Sequence, residues 1–160
     1  MIIVIMGVSG VGKTTVGQAL ASDLGWRFAD ADDYHSAANI AKMRAGIALT
    51  DADRAPWLQT LHEAILAWLS ARENVVLACS ALKAAYRERL LVSPEVKLVY
   101  LRGTLELIAP RLASRSGHYM NPHLLRSQFN TLEEPANALT IAADLTPPEI
   151  VDKIRGALAV

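Results

Sequence analysis

The sequence has little of what secreted, membrane-bound or nucleic-acid-binding proteins need. Its one cysteine, Cys79, cannot form an internal disulfide, and disulfides are typical of oxidising compartments. Its 16 basic and 16 acidic residues balance, so it lacks the cationic excess of nucleic-acid binders. The first apolar run, Ile2–Met6, has no basic flank or cleavage signal, and no run approaches the roughly 18 apolar residues of a membrane span. We therefore expect a cytoplasmic protein without nucleic-acid or membrane partners.

The apolar residues that are present form short runs separated by helical patterns. A length of 160 residues suits a single domain, residues 1–160, with little room for a separate substrate domain. Apolar runs at 2–6, 75–79, 96–101 and, more weakly, 139–143 are too short for independent helices and are typical of buried parallel strands. Because these strands alternate with helices, we predict an α/β fold with a mostly parallel sheet covered on both faces.

Two helices have clear start signals. The longer one is predicted from apolar residues that recur every three or four positions, with Asp51 or Asp53 as its cap and Pro56 in its first turn. The last helix begins with a capping box, Thr146 to Glu149. We interpret the two tryptophans of the longer helix as core residues that need no ligand. The apolar face of that helix consists of Trp57, Leu58, Leu61, Ile65, Trp68 and Leu69.

The glycine-rich segment Gly7 to Thr14 follows the first predicted strand and precedes a helical pattern. It matches G-x-x-x-x-G-K-[ST], in which glycines let backbone N–H groups face a phosphate. Lys13 would reach the β- and γ-phosphates of ATP, and Thr14 would ligate Mg²⁺. The alternative is a glycine-rich turn with an exposed lysine, but the complete motif and both flanks favour nucleotide binding. The nucleotide-binding residues that the motif predicts are Gly7, Ser9, Gly10, Val11, Gly12, Lys13, Thr14 and Thr15.

Nucleotide binding alone leaves kinases, GTPase switches and ATPase motors open. A GTPase is expected to contain an N-K-x-D motif, which the sequence lacks. A motor usually has an apolar strand that ends in an acidic residue, whereas the run 75–79 ends in Cys79 and is followed by Ser80. We therefore favour a kinase, with Ser80 as a candidate contact to a phosphate or substrate oxygen.

An acidic segment follows the point where a second strand is expected to end. Asp30, Asp32 and Asp33 lie there, and His35 comes next. Carboxylates at this point would face the phosphate loop across the strand ends. A phosphoryl transfer needs one acid near Mg²⁺ and one on the acceptor hydroxyl, so the segment fits a kinase. A solvated acidic turn is the alternative.

Further motifs extend over most of the chain and are more specific than the phosphate loop. They are Asp32-Asp33-Tyr34-His35, Asn39, Lys42-Met43, Gly46, Leu49, Asp51, Asp53-Arg54, Pro56-Trp57-Leu58, Cys79-Ser80-Ala81-Leu82-Lys83, Tyr86-Arg87, Tyr100-Leu101-Arg102-Gly103, Arg111-Leu112, Arg115, Gly117-His118, Gln128-Phe129 and Leu132-Glu133-Glu134-Pro135. In order and spacing they resemble the gluconokinase signature. The resemblance implies the fold of nucleoside monophosphate and shikimate kinases, with a five-stranded parallel sheet, a substrate-binding helical segment and a lid. It also implies transfer of the ATP γ-phosphoryl group to the 6-hydroxyl of D-gluconate, and it suggests a homodimer.

Roles for the acidic residues follow from the resemblance to small-molecule kinases. Asp32 would orient the acceptor hydroxyl and accept its proton, while Asp30 would contact Mg²⁺ through water. The two roles could be exchanged. Lys13, Asp32 and Arg115 form the predicted catalytic set.

Gluconate carries a carboxylate and a row of hydroxyls, so its site needs a fixed cation and several hydrogen-bonding groups. Arg54 is the leading cation. The helix macrodipole disfavours a positive charge at the start of a helix unless something compensates, which weakens the alternative of a surface arginine. The other predicted substrate contacts are Asp32, His35, Lys83, Arg87 and His118.

The irregular polar segment at residues 114–122 is predicted to be a lid, with a simple connecting loop as the alternative. Arg115 and His118 flank Gly117 and would close over the phosphates. Arg111, one helical turn earlier, would lie flat on the adenine ring. Its alternative role is a surface neighbour of Arg115.

Two other functions stay open at this point. One is a kinase of the same architecture that acts on another small polar acid, such as shikimate. The other is a regulatory module that binds ATP without an acceptor. The regulatory module explains neither Asp32 nor the arginines around the lid.

Overall fold

The computed structural model describes residues 1–114 and 122–160. Its elements are β1 (Ile2–Met6), α1 (Lys13–Leu24), β2 (Arg27–Asp30), a 3₁₀ helix (Ala31–Tyr34), α2 (Ala37–Arg44), α3 (Asp51–Ser70), β3 (Val75–Ala78), α4 (Ala84–Leu90), β4 (Val96–Arg102), α5 (Leu105–Ala113), α6 (Pro122–Thr131), β5 (Leu139–Ala142) and α7 (Pro147–Leu158). Within these residues the five strands form one parallel sheet in the order β2-β3-β1-β4-β5. The predicted α/β fold with a five-stranded parallel sheet is confirmed.

A separate hydrophobic layer covers each face of the sheet, because successive side chains of a strand point to opposite faces. Ile2, Val4 and Met6 of β1 belong to the layer that contains α3 and α4. Ile3 and Ile5 belong to the opposite layer, with α1 and α7. In the described part of the chain, no helix combines the length and the apolar character that a membrane span needs.

The apolar face predicted for the longer helix is confirmed, but its predicted cap is wrong. Thr50, rather than Asp51 or Asp53, is the N-cap: its Oγ1 accepts a hydrogen bond from the Asp53 N–H at 3.1 Å. The Asp53 carboxylate in turn accepts from the Thr50 N–H at 2.9 Å, which completes a capping box. Because α3 starts at Asp51, Pro56 lies in its second turn rather than its first. The residues of α3 that the core buries are Trp57, Leu58, Leu61, Ile65 and Trp68.

The carboxyl ends of the parallel strands meet at one edge of the sheet, and this edge positions the candidate site. Ile5 of β1 is in register with Ala78 of β3, which is in register with Asp30 of β2. The Gly7 N–H also donates to the Ser80 carbonyl at 3.4 Å. The phosphate loop, the residues after β3 and the acidic segment after β2 therefore lie side by side.

Candidate active site

The phosphate loop connects β1 to α1 in a conformation that glycine makes possible. Gly10 and Gly12 have φ angles of 79° and 108°, a region that other residues rarely occupy. Gly12 is the N-cap of α1, and no side chain caps that helix. The N–H groups of the first turn of α1 therefore face outward with the positive end of the helix dipole, which is a suitable site for a phosphate.

Lys13, the first residue of α1, lies at the centre of the site. Its Nζ donates to the Val8 carbonyl at 3.0 Å. Burial lowers the pKa of Lys13, and the nearby charges of Asp32 and Asp30 partly oppose that decrease. A cation held in place by the loop backbone and balanced by two acids is well suited to contact a polyphosphate.

Asp30 and Thr14 place two oxygen ligands next to each other. The Thr14 hydroxyl donates to Asp30 Oδ2 at 3.0 Å, and Asp30 Oδ1 accepts from the Asp32 N–H at 3.0 Å. A hydroxyl and a carboxylate fit Mg²⁺, which prefers oxygen ligands and keeps several waters. Among the described residues, no cluster of three His, Cys, Asp or Glu side chains could hold a metal.

Two cavities meet at this site. The first is lined by the phosphate loop, Asp30 and Asp32. The second, which we call the polar cavity, extends from Ser9 and Lys13 towards α2, α3 and α6. The two cavities share Lys13, so a molecule in one would be next to a molecule in the other. The polar groups that line the polar cavity include Lys13, Asp32, His35, Arg54, Ser80 and Gln128.

Arg54 brings a positive charge to the polar cavity. Its Nη1 donates to the Tyr86 hydroxyl at 3.3 Å, and its guanidinium lies over the Tyr86 ring. The salt bridges between described residues do not include Arg54, and the sequence from 115 to 121 contains no acidic residue. Among the described residues, Arg54 is therefore a partly buried cation without a salt bridge to a carboxylate.

Lys83, another predicted substrate contact, forms a salt bridge, unlike Arg54. Its Nζ donates to both carboxylate oxygens of Asp51, at 2.9 and 3.0 Å. The Tyr86 hydroxyl donates to the same carboxylate, and the bonds from Tyr86 and Lys83 lower the pKa of Asp51. Lys83 does not line the polar cavity. In this structure its charge supports the position of Tyr86 through Asp51.

His35 lines the polar cavity and is held on two sides. Its ring stacks on the indole of Trp57, with centroids 4.5 Å apart and planes 10° apart. Its Nδ1 lies 3.3 Å from Nδ2 of Asn39. Burial, and secondarily the positive charge of Arg54, lowers the pKa of His35 to about 4. His35 is thus a neutral side chain at pH 7.

Arg87 and Arg111 lie outside the polar cavity. Arg87 is buried, and its Nη1 donates to the carbonyls of Ala81 and Leu82 at 3.0 and 3.1 Å. It therefore holds the turn between β3 and α4. Arg111 lines a pocket on the other side of the phosphate loop, together with Gly10, Gly12, Thr15 and Pro147, and donates to the Ala143 carbonyl at 2.9 Å. Its contact with a base stays a prediction.

The lid residues Arg115 and His118 lie outside the described residues, as does most of the predicted lid. Their proposed contacts with phosphates therefore stay predictions. Described residues that follow this segment do reach the site: Leu124, Ser127, Gln128 and Thr131 of α6 line the polar cavity.

Gln128 contacts the phosphate loop, which no spacing in the sequence predicts. Its Oε1 accepts a hydrogen bond from the Ser9 N–H at 2.7 Å, across 119 positions of sequence. Gln128 belongs to a motif that resembles gluconokinases, and this was the only signal that marked it. Trp57 is a second case: it is a core residue as predicted, but it also lines the polar cavity and donates from Nε1 to the Ala31 carbonyl at 2.7 Å.

Comparison with known proteins gives consistent results. The family model of shikimate kinase matches residues 9–159. The chain is 44% identical to the probable gluconokinase of Mus musculus, over 98% of this chain and 97% of that protein. It is similar to the crystal structure of a gluconokinase from Sinorhizobium meliloti, with a TM-score of 0.87, 41% identity and coverage of 98% and 90%. A sugar kinase from Janibacter has a TM-score of 0.92, 40% identity and coverage of 99% and 94%.

Proposed function

The chain belongs to the gluconokinase family, and on that premise we propose that it phosphorylates D-gluconate at the 6-hydroxyl with ATP. The products are 6-phospho-D-gluconate and ADP. One observation carries the proposal beyond the family relationship: Arg54, a cation without a salt bridge among the described residues, lines the same cavity as Lys13 and Asp32. An acceptor that is an acid at one end and an alcohol at the other suits this arrangement.

The groups that line the polar cavity suit both ends of gluconate. Arg54 can bind the carboxylate with two parallel hydrogen bonds, which is the geometry that a guanidinium favours. The terminal hydroxyl would then lie towards Lys13, Asp32 and the phosphate loop. His35, Ser80 and Gln128 offer hydrogen-bonding groups to the hydroxyls between the two ends.

The proposed reaction is a direct transfer. The oxygen of the 6-hydroxyl forms a bond to the γ-phosphorus while the bond from that phosphorus to the β,γ-bridging oxygen breaks. The electron pair of the broken bond leaves with ADP, and the hydroxyl proton passes to the carboxylate of Asp32. Lys13 and the N–H groups of the loop stabilise negative charge on the phosphoryl oxygens.

Magnesium and the nucleotide fit the residues at the phosphate loop. Thr14 and Asp30, the latter through water, would hold Mg²⁺, which supplies positive charge to the phosphates when bound. The adenine ring would bind in the pocket lined by Arg111 and Pro147, where the planar guanidinium could stack on it. Arg115 and His118, in the proposed lid at about residues 114–122, would add charge over the transferring group.

Family resemblance also supports a single kinase domain over residues 1–160, a homodimer and a cytoplasmic location. Analytical ultracentrifugation of the purified protein tests the dimer directly. A single monomeric species at micromolar concentration would contradict it.

The function is tested by incubating the purified protein with Mg²⁺-ATP and a panel of acceptors. We expect ADP release with D-gluconate, and ³¹P NMR should show a new phosphomonoester on the terminal carbon. Shikimate and nucleoside monophosphates serve as competing acceptors. If shikimate or a nucleoside monophosphate, and not gluconate, stimulates ADP release, the chain acts on that acceptor. If ADP release is slow and no acceptor changes its rate, the chain is a regulatory ATP-binding module.

A further inference from the structure

Asn39 has no role in the proposed function, yet it is one of two polar residues that the described core buries almost completely, with 6% of its surface exposed. It lies in the first turn of α2, where its backbone N–H donates to the Ser36 hydroxyl at 3.1 Å. Its side chain bridges two segments. Nδ2 donates to the Asp53 carbonyl of α3 at 2.8 Å and lies 3.3 Å from Nδ1 of His35.

The Asp53 carbonyl fixes the orientation of the Asn39 amide. A carbonyl oxygen can only accept a hydrogen bond, so the atom of Asn39 that faces it has to be the NH₂ nitrogen. With the amide turned over, two oxygens would meet at 2.8 Å in a buried place, which is strongly unfavourable. The nitrogen of Asn39 is therefore also the atom that faces His35.

The orientation of Asn39 fixes in turn the proton on His35. An NH₂ group has two hydrogens and no lone pair to offer, so Nδ1 of His35 has to be the acceptor. A neutral imidazole with an unprotonated Nδ1 carries its proton on Nε2. Since the pKa of His35 is lowered to about 4, the ring stays in this neutral form over the physiological range.

The position of the ring is fixed as well. His35 stacks on Trp57, and Trp57 is anchored by its bond to the Ala31 carbonyl. Asn39 faces Nδ1 on one edge of the His35 ring. Nε2 lies on the opposite edge of the ring, and the His35 side chain lines the polar cavity. Among the residues that the structure describes, the charged groups that line this cavity with His35 are Lys13, Asp32 and Arg54.

We propose that Asn39 is a positioning residue that holds His35 as the Nε2–H tautomer. In this form His35 donates a hydrogen bond from Nε2 to an oxygen of the molecule that is phosphorylated. The donor is directional and uncharged, and therefore discriminates in favour of an acceptor with a hydroxyl at that point of the cavity. The identity of the acceptor rests on the proposed function, whereas the tautomer does not.

The tautomer is tested in the protein without any substrate. The chain has four histidines, so ¹H–¹⁵N long-range correlation spectra of histidine-labelled protein can be assigned by substitution. At about pH 8, above the ordinary histidine pKa of ~6.5, we expect a protonated Nε2 and an unprotonated Nδ1 for His35. His62 is an internal control with the opposite pattern, because its Nδ1 lies 2.8 Å from the Arg89 carbonyl and has to donate. A protonated Nδ1 in His35 would overturn the proposal.

Two variants of Asn39 test its control over the tautomer. Asn39→Asp replaces the donor with a carboxylate that accepts from Nδ1–H, so the protonated nitrogen of His35 should change from Nε2 to Nδ1. Asn39→Ala removes the constraint and should give a mixture of tautomers. If the aspartate variant does not fold, the alanine variant still shows whether Asn39 controls the tautomer of His35. An unchanged Nε2–H tautomer in a folded Asn39→Ala protein contradicts a positioning role.

The consequence for the acceptor is tested by kinetics with D-gluconate. His35→Gln keeps a donor and should stay within about threefold of the wild-type KM for gluconate. His35→Phe keeps the stack on Trp57 without a donor and should raise that KM about three- to tenfold, the effect of one lost hydrogen bond, with the KM for ATP unchanged. Equal KM values for the two variants would refute the donor role. A wild-type protein that ignores gluconate but shows the Nε2–H tautomer would refute only the proposed function.

Discussion

Arg54 Nη1 donates to the hydroxyl of Tyr86 at 3.3 Å, although 32 positions separate the two residues in sequence. The same hydroxyl donates to Asp51, which is also bound by Lys83. This chain of bonds links the start of α3 to the start of α4. It holds a positive charge at the wall of the polar cavity without neutralising it by a salt bridge.

Arg54→Ala should raise the KM for gluconate roughly tenfold to a hundredfold, as expected for the loss of hydrogen bonds to a charged group. The KM for ATP should change little. The control is Arg89→Ala, since Arg89 is exposed and binds Gln59 outside the cavity. Steady-state kinetics with gluconate and with the uncharged polyol sorbitol measure the role of the charge. If the KM for gluconate and the KM for sorbitol rise by the same factor in Arg54→Ala, Arg54 does not recognise the carboxylate.

Tyr86→Phe should raise the KM for gluconate about threefold to tenfold, because Arg54 and Asp51 lose a shared partner. Tyr100→Phe is the matched control: it also removes a tyrosine hydroxyl with a partner, the Glu134 carboxylate at 3.3 Å, but away from the polar cavity. Kinetics are compared with thermal unfolding of both variants. A KM effect of the same size in the two variants would mean that Tyr86 acts only through stability.

Asp32→Asn should lower kcat by about 10²–10⁴, the usual contribution of a general base, while ATP binding is largely kept. Asp33→Asn serves as control, because Asp33 is the adjacent exposed acid and does not line either cavity. Rapid-quench kinetics and calorimetric titration with a non-hydrolysable ATP analogue give the two quantities. Near-normal turnover in Asp32→Asn would assign the proton to another group.

The stability of the protein should fall as pH decreases from about 6.5 to about 4, in part because of His35. Its pKa is lowered to about 4 in the folded protein, whereas the unfolded chain titrates near ~6.5. The unfolded state therefore binds more protons in this window, and protonation favours unfolding. The contribution is about 1–2 kcal/mol once solvent screening is allowed for.

Chemical denaturation at several pH values measures this effect. His35→Phe removes the titrating group and keeps the stack on Trp57, so the free energy of unfolding should depend less on pH between 4 and 6.5 than in the wild-type protein. Identical pH dependence in the two proteins would show that His35 is not buried in neutral form.

The alternation of apolar runs and helical patterns was sufficient to predict the α/β class and a mostly parallel sheet, whereas the number of five strands came from the family resemblance. Runs such as Ile2–Met6 are buried along their whole length, so their composition follows directly from their place in the sheet. The phosphate loop could also be predicted from local sequence, since its glycines and Lys13 all lie within one short segment. The N-cap of α3 differs from the predicted one although its signal is local, because Thr50 and Asp53 form a capping box only three positions apart.

The polar cavity could be predicted only in part. Lys13, Asp32, His35 and Arg54 line one cavity, which the strand order explains. The contact from Ser9 to Gln128 depends on how α6 packs against the loop, and no spacing in the sequence encodes it. The family resemblance implies Arg87 as a substrate contact, whereas its observed partners are two backbone carbonyls.

The single cysteine has a practical consequence. Cys79 directly follows strand β3, beside the central strand β1. It has 1% of its surface exposed, and burial raises the pKa of its thiol to about 12. A thiol reagent can reach it only when the structure around the end of β3 opens, because both access and thiolate formation are suppressed. The rate of labelling at Cys79 therefore reports how often the protein opens on a large scale. It needs no engineered probe, and ligands that close the neighbouring site should slow it.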